Sequence, residues 1–118
     1  MSSAAVKWIC LVKRKPGLSK AEFKDYYENN HVPMVNGLIP HVERYIRNYT
    51  VGEGSTFSPA WDCITEFWFT TEQDWTNFNQ CLSEPNISKK VAADEEKFVD
   101  RSATQATLVK ELGGLVKG

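Results

Sequence analysis

At 118 residues the chain has apolar side chains enough for one core, and two cores of half that size would not offset the entropy lost on folding. Apolar residues at 42% and charged residues at 25% exclude a disordered or membrane-spanning chain. A formal net charge of -1, with both signs scattered, leaves no electrostatic footprint for a nucleic acid or an anionic bilayer.

Val6 to Arg14 alternates Val6, Trp8, Cys10 and Val12 with Lys7, Ile9, Leu11 and Lys13, which predicts a first strand buried on both sides. The run is short, contains Lys7 and lacks a basic lead, so it reads as neither a signal peptide nor a membrane helix, and a cytoplasmic location is expected. Lys13, Arg14 and Lys15 read as a solvated strand end. Pro16 and Gly17 break the strand, and Ser19 with Glu22 forms a capping box that opens a helix. Phe23, Tyr26, Tyr27, Asn30, His31 and Met34 then recur at helical spacing, with His31 on the buried face. Pro33 disfavours helical geometry at Val32, so this helix is expected to end near His31, which would occupy its last turn.

Gly37 to Pro40 reads as a turn and Val42 to Val51 as strand two, with Glu43, Tyr45, Arg47 and Tyr49 on one side and Val42, Arg44, Ile46 and Asn48 on the other. A Gly/Ser/Pro-rich connection, Gly52 to Pro59, joins it as a hairpin to strand three, Asp62 to Phe69. Thr71 and Asp74 mark a helix start whose apolar stripe is Trp75, Phe78 and Leu82, and Pro85 ends it. A shorter helix from about Asn86 to Val99 keeps its period through Ile87, Val91, Asp94 or Glu95, and Phe98. Thr104 to Leu112 predicts strand four; residues 1–112 would form the domain and 113–118 a flexible tail.

This order is α+β of the ferredoxin-like βαββαβ kind: a four-stranded antiparallel sheet with helices on one face. Phe67 and Phe69 should face the helices, turning Ile64, Glu66 and Trp68 to the other side. There Ile64 and Trp68, beside Ile46 and Val42, would leave an apolar patch, and packing two sheets face to face as a homodimer would cover it. Glu66 would lie in that seam and is expected to bond Arg44 or Asn48. Cys10, Cys63 and Cys81 lack the spacing of zinc ligands or a disulfide framework and are expected as buried thiols, one of which could line a pocket.

The stretch Lys13-Arg-Lys-Pro-Gly-Leu-Ser, then Glu22-Phe, Tyr26-Tyr, His31-Val-Pro and Ile39-Pro-His-Val-Glu-Arg-Tyr45, resembles the EthD-type proteins of the dimeric α/β-barrel superfamily. Asp62-Cys-Ile-Thr-Glu66-Phe-Trp-Phe and Asp94-Glu-Glu-Lys-Phe98-Val-Asp100 continue the resemblance. It implies a homodimer, forming a dimeric α/β barrel, with a pocket between sheet and helices in each subunit and with no metal, flavin or nucleotide. It also implies the chemistry of lactone isomerases, polyketide cyclases, dehydratases and decarboxylases, or of cofactor-free quinol monooxygenases. One such lactone isomerase uses a cysteine on strand three; Phe67 stands there in this chain. The glycine that usually follows the strand-three aspartate is replaced by Cys63, which would narrow the pocket mouth or put a thiol into it.

His31 is the first candidate for acid/base catalysis, because imidazole titrates near neutral pH; otherwise it is a core or capping residue. Tyr45, by the resemblance on the helix side of strand two, could reach His31 or polarise a carbonyl, or simply pack. Arg47 on the same side could hold a carboxylate or enolate, or pair along a sheet edge. Asp62, near the mouth, could orient His31 or end in turn solvation. Trp8, Cys10, Tyr27, Cys63, Thr65, Phe67 and Phe98, with Val12, would form an aromatic wall suited to a small, flat, hydrophobic aromatic substrate.

The expected function is a cofactor-independent lyase or cyclase that dehydrates, closes or decarboxylates an aromatic polyketide-type intermediate by proton transfer at His31. The alternatives are a cofactor-free quinol or anthrone monooxygenase, and a dimer that only sequesters a hydrophobic small molecule.

Overall fold

The computed structural model describes residues 6–52 and 60–114 of the chain. Most of the expected hairpin connection, 53–59, and the last four residues of the expected tail, 115–118, lie outside the described residues. The elements are β1 (Val6–Val12), α1 (Lys20–Tyr26), a π-helical turn (Tyr27–His31), α2 (Val32–Leu38), β2 (Arg44–Tyr49), β3 (Cys63–Phe69), α3 (Glu72–Ser83), α4 (Pro85–Glu95) and β4 (Gln105–Lys110). The sheet runs β2-β3-β1-β4 with every neighbour antiparallel. This is the ferredoxin-like arrangement expected from the residue pattern.

Local chemistry accounts for most of the boundaries. Ser19 accepts the Glu22 N–H while Glu22 accepts the Ser19 N–H, so both ends of the capping box are made. Thr71 accepts the Asp74 N–H at the start of α3, and Glu84 does the same for Ile87 at the start of α4. Pro85 therefore ends one helix and opens the next. Regular pairing stops at Val12, short of the expected Arg14, which instead bridges to Val99. β2 is likewise shorter than the expected Val42 to Val51.

The first helical run does not end near His31. Val32 donates to the Tyr27 carbonyl five residues back, and the chain continues as α2 to Leu38 with Pro33 in its first turn. A widened turn relieves the clash between the proline ring and the carbonyl four residues earlier, so Pro33 reshapes the helix rather than stopping it. Gly37, expected in a turn, is accordingly helical. His31 is interior to the run and has no helix end beside it to favour its charged form.

Two contiguous clusters make the core between sheet and helices. One joins Val12, Phe23, Tyr27, Val32, Cys63, Phe98 and Val99; the other joins Val6, Val35, Ile39, Phe67, Phe69 and Phe78. Val42, expected on the opposite sheet face with Ile46, packs on the second cluster because β2 begins only at Arg44. On the face without helices, Glu66 accepts Asn48 Nδ2 at 2.8 Å and Trp68 Nε1 at 3.0 Å, and Lys7 Nζ lies 3.4 Å away. Arg44, expected as a partner of Glu66, stacks its guanidinium on the Trp68 ring instead, at 4.6 Å. Among the described residues no helix is long and apolar enough to cross a membrane.

Candidate active site

Between β1, the run from α1 to α2, α4 and β4 lies a cavity of about 250 Å³. Its sheet wall is Trp8, Cys10, Tyr45 and Phe67, and its helix wall includes Tyr27, His31, Val35, Val91 and Phe98. Glu95, Arg101, Thr104 and Ala106 also line it, and because Arg101 and Ala106 are exposed the cavity meets solvent on their side. The cavity lies just under the roughly 300–1,000 Å³ of drug-sized ligand sites, which suits a compact ligand of about two fused rings.

His31 is placed by the widened turn. An α-helical step of four residues overshoots one turn by about 40°, whereas the π step from Tyr27 to His31 undershoots it, so Phe23, Tyr27 and His31 stay on one face. The imidazole packs on Phe98 at 4.9 Å and edge-on to Tyr27 at 5.5 Å. Its Nδ1 meets Asp94 Oδ2 at 2.8 Å, and the other Asp94 oxygen accepts the Tyr26 hydroxyl at 2.6 Å. Burial lowers the His31 pKa and prevails over the upward pull of Asp94, so the ring is held neutral. With the Nδ1 proton donated to Asp94, Nε2 is the basic nitrogen. Burial, and then the same carboxylate, push the Tyr26 phenol up to about 12.

Asp62, expected to orient His31, is held elsewhere. It accepts the Arg14 N–H at 2.9 Å and lies 3.6 Å from Arg14 Nε and 3.5 Å from Lys20 Nζ, tying strand ends to α1. Asp94 takes the orienting position. Its sequence signal was the helical period it was expected to share with Phe98; α4 ends at Glu95, short of the expected Val99, and Phe98 reaches His31 from the turn that follows.

Arg47 does not line the cavity. It grips Glu28 through Nε and Nη2, each at 2.8 Å, and donates to the Tyr45 carbonyl, while Tyr49 donates to the same carboxylate. Cys63 and Thr65 are fully buried behind the wall rather than at the mouth. Thr65 bonds the Tyr27 hydroxyl at 2.6 Å, and burial pushes the Cys63 thiol up to about 11. Cys10 is the thiol at the cavity, and burial, then the Glu95 charge, raise it to about 12, so it stays protonated at neutral pH. Tyr45 stacks on Phe67 at 4.4 Å and makes only a long 3.5 Å bond to the Tyr27 hydroxyl, leaving its own proton available for a better acceptor. Burial raises the pKa of Tyr45 as well.

A family model for the EthD domain matches residues 15–102. The conidial pigment biosynthesis dehydratase EthD of Metarhizium robertsii is 31% identical over 108 residues, covering 80% of this chain and 74% of the relative. The dehydratase ustZ of Ustilaginoidea virens is 28% identical, covering 78% and 73%. The decarboxylase claH of Passalora fulva is 24% identical, covering 86% and 75%. Among solved structures, an ethyl tert-butyl ether D family protein of Bacillus halodurans superposes with a TM-score of 0.67 at 18% identity, over 92% of this chain and 99% of that one. A dimeric protein of ferredoxin-like fold and unknown function from Bacteroides fragilis gives 0.61 at 11% identity, over 94% and 100%.

Proposed function

The chain belongs to the EthD domain family and, like its named relatives, is an enzyme of lyase type; we propose that it acts on a small aromatic polyketide-type ketone, using His31 to remove a proton beside the carbonyl. The observation that carries this reading is the His31–Asp94 pair at 2.8 Å in the wall of an aromatic cavity. A neutral imidazole with Nδ1 fixed on a carboxylate has one basic nitrogen to offer, as general-base catalysis requires. Tyr45 donates its hydroxyl proton to the carbonyl oxygen, where negative charge builds as the enolate forms. Trp8, Phe67 and Phe98 supply flat apolar area for the ring system and keep water from the enolate.

The working unit on this reading is a homodimer. Ile46, Ile64 and Trp68 lie on the sheet face that no helix covers, and a structural relative of the same fold is described as dimeric. The dimer would pack these faces together and leave each cavity on the far side of its own sheet.

Proton removal is measured with 3-hydroxy-1-tetralone, a β-hydroxy ketone on a two-ring aromatic frame. Wild type is expected to exchange its C2 protons in D2O and to release 1-naphthol. His31→Asn, which keeps hydrogen bonding but does not exchange a proton, should lower both rates by roughly two to four orders of magnitude. A folded variant with wild-type exchange would remove His31 as the base. Oxygen uptake in metal-free and flavin-free buffer would assign the monooxygenase chemistry instead.

A further inference from the structure

Asp94 and Glu95 are adjacent on α4 but serve different surroundings. Asp94 is engaged by His31 and Tyr26, whereas Glu95 lines the cavity. Among the described residues, the charged and titratable groups around Glu95 are Arg101 beyond α4, with Nε 3.4 Å from Oε1, Asp94 on its own helix, Cys10 on β1, whose thiol feels the Glu95 charge, and His31, Tyr27 and Tyr45, which share the cavity lining. Burial raises the Glu95 pKa, Arg101 lowers it in part, and Asp94 adds to the rise. The cavity thus brings together a neutral base and a carboxyl that resists ionisation. Environments that shift two titrating groups in opposite directions divide the roles of base and acid between them.

We propose that Glu95 is the proton donor to a departing hydroxyl, so that this cavity dehydrates a β-hydroxy ketone carried on an aromatic frame. The proposal rests on His31 being the base. The C–H bond beside the carbonyl breaks, its proton passing to His31 Nε2 and its electron pair entering the enolate. The enolate then expels the hydroxyl: the C–O bond breaks, its electron pair leaves on oxygen, and that oxygen takes the Glu95 proton and departs as water. An imidazolium and a carboxylate remain. One proton returned from His31 to Glu95 through water at the mouth restores both, and no oxidant or reductant enters. Arg101, about half exposed at the mouth, lies where it can steady the Glu95 carboxylate left after the proton has gone.

Glu95→Gln separates this role from that of His31. With 3-hydroxy-1-tetralone the folded variant should lose 1-naphthol formation by roughly two to four orders of magnitude while still exchanging C2 protons in D2O. With 3-chloro-1-tetralone, whose leaving group needs no proton, it should release 1-naphthol at the wild-type rate above background. Undiminished dehydration of the hydroxy ketone by Glu95→Gln would overturn the proposal. Equal losses with both substrates would also overturn it, since they would mark a structural role. Wild type that exchanges but never dehydrates would overturn it while leaving the base in place. Wild-type exchange in His31→Asn, or none in wild type, would strike the underlying reading instead.

Discussion

Asp94 holds both Tyr26 and His31, so its removal tests whether the carboxylate sets the tautomer and basicity of the ring. Burial lowers the His31 pKa and Asp94 partly opposes it, so Asp94→Asn should lower that pKa further. The acid limb of the pH–rate profile should then move to lower pH, while the plateau falls by about a hundredfold or more through loss of the oriented tautomer. A profile unmoved on the pH axis would show that Asp94 does not act through His31. The same shift has a stability consequence. Below the ordinary value of 6.5 the unfolded chain takes up a proton that folded His31 resists, so this contribution makes stability rise with pH up to 6.5 and fall on acidification. Glu95 has the opposite sign: the folded chain keeps its proton above the ordinary value of 4.5, so its contribution weakens as pH rises through the raised pKa.

At the scale of elements, the helical run from Lys20 to Leu38 is the part on which the site depends most. Its π turn lets Phe23 anchor the core while Tyr27 and His31 reach the cavity from the same face. Pro33→Ala restores a backbone donor and removes the ring that a regular turn cannot accommodate. The variant should melt at the wild-type temperature or above, yet turn over on the order of a hundredfold more slowly, because a regular helix rotates His31 away from its position against Asp94. Thermal melts and rates on one preparation decide it. A lower melting temperature with full activity would mean that the wide turn is not what positions the imidazole. α4 contributes in a different way: two neighbouring carboxyl side chains on one helix meet different surroundings, Asp94 bonding Tyr26 and His31 on the preceding helical run and Glu95 lining the cavity.

For the whole molecule, the sheet is the divider. Its helix side carries the cavity, and its other side carries Trp68, flanked by Lys7 at 3.8 Å and Arg44 at 4.6 Å from its ring. Glu66 beneath them is pushed up by burial, but Asn48, Trp68 and Lys7 together outweigh that and keep its carboxyl below the usual range, so it is an ionised hub of this face. Trp68→Asp replaces the largest side chain of the patch with a second carboxylate beside that hub, which a desolvated seam would not tolerate. Light scattering should find wild-type dimers and mutant monomers or aggregates at micromolar concentration. A wild-type monomer, or a stable mutant dimer, would reject the seam.

Strand alternation, the Ser19 and Thr71 caps and the break at Pro85 made the element order readable from the residues, because each rests on chemistry within a few positions along the chain. The same locality let Phe67 and Phe69 be assigned to the core face and His31 to a buried one. What lay beyond local chemistry was pairing between distant elements. Pro33 widened the helix instead of ending it because α2 had core contacts to make through Val35, with Ile39 just beyond it. Asp62, Arg47 and Arg44 were drawn to partners that no spacing along the chain announces: Arg14 and Lys20, Glu28, and the Trp68 ring. The partner of His31 was decided in the same way, since Asp94 is 63 positions away and reaches it only when α4 packs across the widened turn. Sequence periodicity settles which face a residue occupies; only the packing of one element on another settles which group it meets there.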